Sequence, residues 1–240
     1  MKRRFILLLA LALLLAACDG VIGGREGSGK VITEERDVSG FERVRVTGSG
    51  IAEIVQGDTE SLVIEAEDNI MPLVESTVQD GVLVLGQKAS TSIRITKPIK
   101  YIITMIDVAG FEVTGSGAIN SDSIETTLMS FDISGSGDIN VVELDGDSID
   151  ALISGSGVVQ ISGDVADQVL EITGSGRYEG ANLRSGTAVV SISGSGKAAV
   201  WVDTTLDITV TGSGEVSYYG EPILTQSISG SGNVRSLGAK

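Results

Sequence analysis

The chain has 240 residues, with 17 Lys and Arg against 32 Asp and Glu, a formal charge of −15. It holds no His and one Cys, which excludes His-based triads, His–metal sites, Cys zinc sites and internal disulfides, and so acidic a chain is a poor partner for nucleic acid, whose phosphates need Lys and Arg. With 32 Gly, 42% apolar residues and only 4% aromatics, the composition points to β structure around an aliphatic core.

Lys2, Arg3 and Arg4 precede an apolar run from Phe5 to Leu15. That run is too short for a bilayer, which needs about 20 apolar residues, and reads as the core of an export signal. It leads into Leu15-Ala16-Ala17-Cys18, which resembles the bacterial lipobox. The resemblance implies cleavage before Cys18 and lipidation of its thiol. The expectation is an exported lipoprotein of the cell envelope, with the membrane as a partner through the lipid anchor. The expected division is a signal peptide at 1–17, a flexible tether at 18–35 and one folded domain at 36–240. The triplet Gly27-Ser28-Gly29 lies in the tether and is read as incidental.

Residues 36–110 form a less regular opening part. Gly48-Ser49-Gly50 is followed by strand-like Leu62-Val63-Ile64, a helical turn between Asn69 and Val74, and a hairpin signal at Asp80-Gly81 between apolar runs. Two further strands are expected at Ile93–Ile95 and Tyr101–Ile106. This part is read as the opening of the solenoid described next, with insertions that cover its end.

Residues 111–240 repeat. Gly-Ser-Gly starts at Gly115, Gly135, Gly155, Gly174, Gly194, Gly212 and Gly230, at intervals of 20, 20, 19, 20, 18 and 18 residues. Two residues before each triplet, and before Gly48, stands a β-branched residue: Val46, Val113, Ile133, Ile153, Ile172, Ile192, Val210 and Ile228. Four residues before and four after the first glycine are apolar positions as well, Gln226 being the exception before it. This is the period-2 alternation of half-buried strands. Both glycines fall on the inward parity, so the triplet reads as a corner with no inner room for a side chain. All copies share one sense and near-equal spacing, which favours stacked coils over hairpins. The predicted fold is all-β, a parallel β-helix (solenoid) with coils of about 18–20 residues. Asn120, Asn140 and Gln160 form an expected amide ladder on its outside.

Phe41-x-x-Val44-x-Val46-x-Gly48-Ser49-Gly50, Ile54-Val55-Gln56-Gly57, Asp68-Asn69 and Asp80-Gly81-x-Leu83 together resemble the bacterial head GIN domain, also called the putative auto-transporter adhesin family. Gly117-Ala118-Ile119-Asn120 and Gly137-Asp138-Ile139-Asn140 carry the Gly-x-Ile-Asn run that its name suggests. The resemblance covers roughly residues 36–238. It implies envelope-bound β-helical proteins, often lipoproteins, and brings no catalytic residues with it.

The acids Asp145, Asp147 and Asp150 in one region, and Glu65, Glu67 and Asp68 in another, are candidates for a catalytic or metal-binding cluster. They do not recur from coil to coil and are read as solvated loop acids. No cofactor, metal or catalytic group is expected. The candidate ligand surface is Trp201 with Tyr219, both seven residues after a triplet and one coil apart, beside Arg177 and Lys197, both three residues after one. Two structural readings stand beside it: an aromatic stack that covers a seam, and a Lys197 relieved by Glu215 on the next coil. The function read from all this is a non-catalytic, lipid-anchored envelope protein that presents a surface for adhesion or for a glycan or protein ligand. The alternative is a β-helical polysaccharide lyase or hydrolase.

Overall fold

The computed structural model describes residues 24–89 and 92–240. Cys18 and the run read as an export signal lie outside them. From Gly110 onward the chain winds as a parallel β-solenoid. Ala118–Gly135, Asp138–Gly155, Val158–Gly174, Arg177–Gly194 and Lys197–Gly212 are successive coils, each hydrogen-bonded in parallel to the next. Glu215–Tyr219 and Ile223–Gly230 follow, and Asn233–Ser236 ends the stack.

The register is the one the triplets demand. Gly115, Gly135, Gly155, Gly174, Gly194, Gly212 and Gly230 pair in one unbroken column, and Gly48 joins it. The β-branched column runs alongside and is fully buried from Val46 to Val210. It opens at the last coil, where Ile228 is 40% exposed and pairs on one side only.

The two glycines of a triplet serve different ends. The first has φ between +118° and +132° in all seven regular copies, a region that L side chains avoid. A Cβ on Gly212 would also stand 2.6 Å from the Gly194 carbonyl oxygen of the coil below. It would point along the rod, not into its core. The second glycine is the inward one: a Cβ on Gly214 would stand 2.6 Å from Ile192 Cγ2. The serine between them is exposed, yet its amide stays bonded to the coil below, as where Ser136 N donates to Gly115 O at 2.8 Å, and the residue after the triplet rejoins the ladder, as where Asp138 N donates to Gly117 O at 3.0 Å.

The opening part is a solenoid wound out of order. Arg43–Gly48 and Ile51–Gln56 form a coil below residue 110. Beneath it lie Val82–Gln87 and Lys100–Met105, later in sequence but earlier in the stack. Val74–Gln79 and Ser61–Glu67 then add antiparallel pairs that close this end. The hairpin at Asp80-Gly81 forms with positive φ at both residues, as a two-residue type I′ turn requires. The helical turn is a short 3-10 turn at Met71–Leu73.

Residues 25–26 and 31–35 of the expected tether are paired strand. Arg25–Glu26 pairs with Ile93–Arg94, and Val31–Arg36 pairs antiparallel with Ser61–Glu67. Gly27-Ser28-Gly29 is not incidental either. The Gly29 amide donates to Glu67 Oε1 at 2.7 Å, and a side chain at Gly27 would overlap that carboxylate. Thr96 donates to Glu67 from its hydroxyl at 2.5 Å and from its amide at 3.0 Å. A carboxylate that gathers donors from two segments needs a close backbone approach, and glycine allows it.

Candidate functional site

The face carrying the candidate residues is shaped by a change of coil length. The triplet interval falls from 20 residues to 18 between Gly194 and Gly212. The Arg177–Gly194 coil is thus longer than its successor, and the register jumps between Gly180 and Arg184. Ala181, Asn182 and Leu183 take up the excess as a bulge. Leu183 turns into the core, while Asn182 stands exposed above the next coil.

Trp201 pairs in register with Tyr219, so the two rings rise from adjacent coils on one face. Val200 and Val202 on either side of Trp201 are fully buried, which turns Trp201 outward, and both rings are half-buried. Arg177 pairs with Lys197, and Lys197 with Glu215. The stacked cations are relieved locally: Lys197 Nζ lies 3.1 Å from Glu215 Oε2 and Arg177 Nη1 3.4 Å from Glu179 Oε1. These four charges wall a groove of about 430 Å³ that also takes in Ala181 and Asn182. Lys240 links the groove to the rings. Its Nζ donates to Ala181 O and Asn182 Oδ1 and lies over both Trp201 and Tyr219. Arg184 also lies over Trp201, with Cζ 5.9 Å from the ring centroid, and is held by Asp203 at 2.7 Å.

Lys240 and Asn182 were not singled out from the sequence. Lys240 stands 39 residues beyond Trp201 with no periodic relation to it. The shortened interval was a signal for the bulge that presents Asn182.

The structure separates the acids. Asp145 and Asp147 share an open groove of about 1080 Å³ with Glu42, Asp58, Asp107 and Glu125, and no Lys or Arg lines it. Asp150 lines a different groove with Arg43 and Arg45. Glu67 and Asp68 are engaged by the N-terminal segment, Asp68 by the Ser28 hydroxyl at 2.6 Å. Hydrogen bonds, from Thr96 to Glu67 and from Ser28 to Asp68, hold both carboxyls below their ordinary range. Among the described residues no group of three or more acids or Cys is placed to hold a metal ion.

Fold and site together define a β-solenoid with an aromatic pair beside a charged groove on one flank. The chain belongs to the family described as putative auto-transporter adhesin, head GIN domain, which matches residues 40–222. A crystal structure of a putative adhesin from Bacteroides fragilis shares its fold with TM-score 0.84 and 26% identity, over 89% of this chain and 100% of that one. A putative lipid binding protein from Parabacteroides distasonis is similar in fold with TM-score 0.74 and 22% identity, over 88% and 98% of the two chains. A putative adhesin from Parabacteroides merdae aligns with TM-score 0.69 and 20% identity, over 90% and 100%. The comparison with curated proteins finds no match.

Proposed function

We propose that this chain is a non-catalytic, lipid-anchored protein of the bacterial cell envelope, which uses the flank around Trp201 and Tyr219 to hold a glycan or protein ligand. The observation that carries the reading is the register pairing of Trp201 with Tyr219 next to the groove walled by Arg177, Glu179, Lys197 and Glu215. Outward aromatic rings give a large contact area at low entropic cost, and flanking charges of both signs give direction to polar ligands. The adhesin description of the family supports a role in attachment. The lipobox-like run ending in Cys18 supports the anchor.

The polysaccharide lyase or hydrolase reading finds less support. The groove of Asp145 and Asp147 has no Lys or Arg in its lining to serve as a base or to neutralise a uronate, and in the groove of Asp150 the Arg45 guanidinium is paired with Glu112 at 2.7 Å.

Two measurements test the proposal. On a glycan array and a panel of immobilised envelope and host-surface proteins, the full chain should be retained by at least one ligand. Trp201→Ala with Tyr219→Ala should abolish that retention; equal retention by the double variant would remove the flank from consideration. Cells fed labelled palmitate should label the wild type and not Cys18→Ser, and unchanged label in the variant would overturn the anchor.

A further inference from the structure

The aromatic pair already holds a cation. Lys240 Nζ lies 4.9 Å from the Trp201 ring centroid and 5.2 Å from that of Tyr219. The same nitrogen donates to Ala181 O at 2.7 Å and to Asn182 Oδ1 at 2.6 Å. Two ring systems attract a cation through their quadrupoles. Two oxygens accept two of the three N–H groups that a primary ammonium offers. The backbone that carries each of these groups belongs to the rod: Trp201 and Tyr219 pair in register, and Ala181 and Asn182 sit in the bulge before Arg184. None depends on the backbone of Lys240.

We propose that Trp201, Tyr219, the Ala181 carbonyl and Asn182 form a binding site for a primary ammonium group on an external ligand, and that Lys240 is an intramolecular occupant which the ligand displaces. The inference deepens the reading of this flank as the ligand surface and rests on it. The two oxygens select the class. A quaternary ammonium has no N–H and would leave both acceptors unpaired on burial. A neutral acetamido group would forgo the attraction of the rings. A second cation, Arg184, lies near Trp201 but is committed to Asp203. Ala181 and Asn182 also line the groove, so the body of a ligand can lie between Arg177 and Glu215 while its amine reaches the rings. The amine of an amino sugar and the side chain of a lysine share this chemistry.

Trp201 is the only tryptophan of the chain, so its emission reports the site directly. The full chain in non-ionic detergent is titrated at constant ionic strength with glucosamine, with Nα-acetyl-lysine amide and with neutral N-acetylglucosamine. In Lys240→Ala, at least one of the two amines should change Trp201 emission saturably. Half-saturation should come about tenfold lower than in the wild type, where the tethered lysine competes at an effective concentration in the millimolar range. N-acetylglucosamine should do nothing, and Tyr219→Ala added to Lys240→Ala should abolish the response. A response to glucosamine alone assigns an amino sugar; a response to the lysine amide alone assigns a protein side chain. No amine response in Lys240→Ala overturns the inference, as does an equal response to N-acetylglucosamine. So does a lowered melting temperature in Lys240→Ala without amine binding, which would make Lys240 a structural latch. Array retention that depends on Trp201 while the amines give no signal would overturn this inference and leave the ligand flank standing.

Discussion

The Tyr178 hydroxyl donates to Gln168 Oε1 at 3.0 Å inside the rod, where both residues are almost wholly buried. Gln168 occupies a column otherwise filled by Met129, Ile149, Ala188, Leu206 and Leu224. Its amide donates to Ser185 Oγ at 2.7 Å, and Ser185 donates to the Trp201 carbonyl at 3.0 Å. A side chain at Gly180 would meet the Tyr178 ring, so the glycine makes the space the ring uses. Each polar group in this chain of bonds has a partner, and burial pushes the Tyr178 hydroxyl's pKa up.

The losses from removing each partner should therefore not add. Tyr178→Phe is expected to lower stability by about 1–3 kcal/mol, because it leaves the Gln168 oxygen unpaired in the core. Gln168→Leu should cost a similar amount by leaving the Tyr178 hydroxyl without its acceptor and Ser185 Oγ without its donor. The double variant should lose less than the sum of the two. Denaturant midpoints of the four proteins measure this, and strict additivity would show the bonds to be independent.

The corner predicts an asymmetry within one triplet. Gly212→Ala strains the backbone at φ +118° and meets Gly194 O, and Gly214→Ala meets Ile192 Cγ2. Each should destabilise by about 1–3 kcal/mol. Ser213 is exposed, and Ser213→Ala should stay within about 0.5 kcal/mol of the wild type. Thermal melts of the three variants separate these outcomes.

How much of this was legible depends on whether a residue obeys the period. The columns through Val46 to Val210 and the pairing of Trp201 with Tyr219 follow from spacing, because parallel coils in register turn equal offsets into neighbours, and the turn at Asp80-Gly81 follows from its Asp-Gly dipeptide. Gln168 was not visible as a buried residue, since its partners Tyr178 and Ser185 belong to the following coil and no local pattern links them. The strand at Val31–Arg36 was missed because Thr33, Glu34 and Glu35 carry polar side chains on an edge strand, where burial does not impose alternation. The misplaced coil of Val82–Gln87 and Lys100–Met105 has strand patterning, but nothing in it states that it stacks beneath an earlier segment. Lys240 reaches its rings through the tertiary fold alone.

Two carboxyls should pull stability in opposite directions with pH. Burial, reinforced by the nearby charges of Glu112 and Asp150, raises the pKa of Asp132. The folded state then binds its proton more readily than the unfolded chain, so this group contributes less stability as pH rises through its folded pKa. Asp132→Asn should raise the melting temperature at neutral pH, with the gain shrinking below the ordinary Asp range. Glu67, held low first by the Thr96 hydroxyl, contributes stability that is present above the ordinary Glu pKa and lost as pH falls through its own. Glu67→Gln should therefore lower the melting temperature at neutral pH and less so in acid. Melts at stepped pH give both signs, and parallel curves for variant and wild type would refute them.

The rings of Trp201 and Tyr219 should matter little to folding. Trp201 and Tyr219 are half-buried and point outward, whereas Leu170 is 2% exposed and fills the core. Leu170→Ala is expected to cost about 2–5 kcal/mol. Trp201→Ala with Tyr219→Ala should cost clearly less than this, and a loss as large as that of Leu170→Ala would make the pair part of the core.

Because Ser134 pairs with Ser154 and Gly135 with Gly155, the twenty residues from Ser136 to Gly155 are a unit whose two boundaries are chemically alike. Excising them joins Gly135 to Ser156 and presents the coil below with the same corner, the same buried Ile column and the same ladder. Adding a copy does the reverse. A rod built this way changes length in steps of one strand spacing, about 4.8 Å, without any new core being invented. Unequal recombination between the near-identical Gly-Ser-Gly segments is thus a route by which such rods gain or lose whole coils while every neighbouring coil keeps its own contacts.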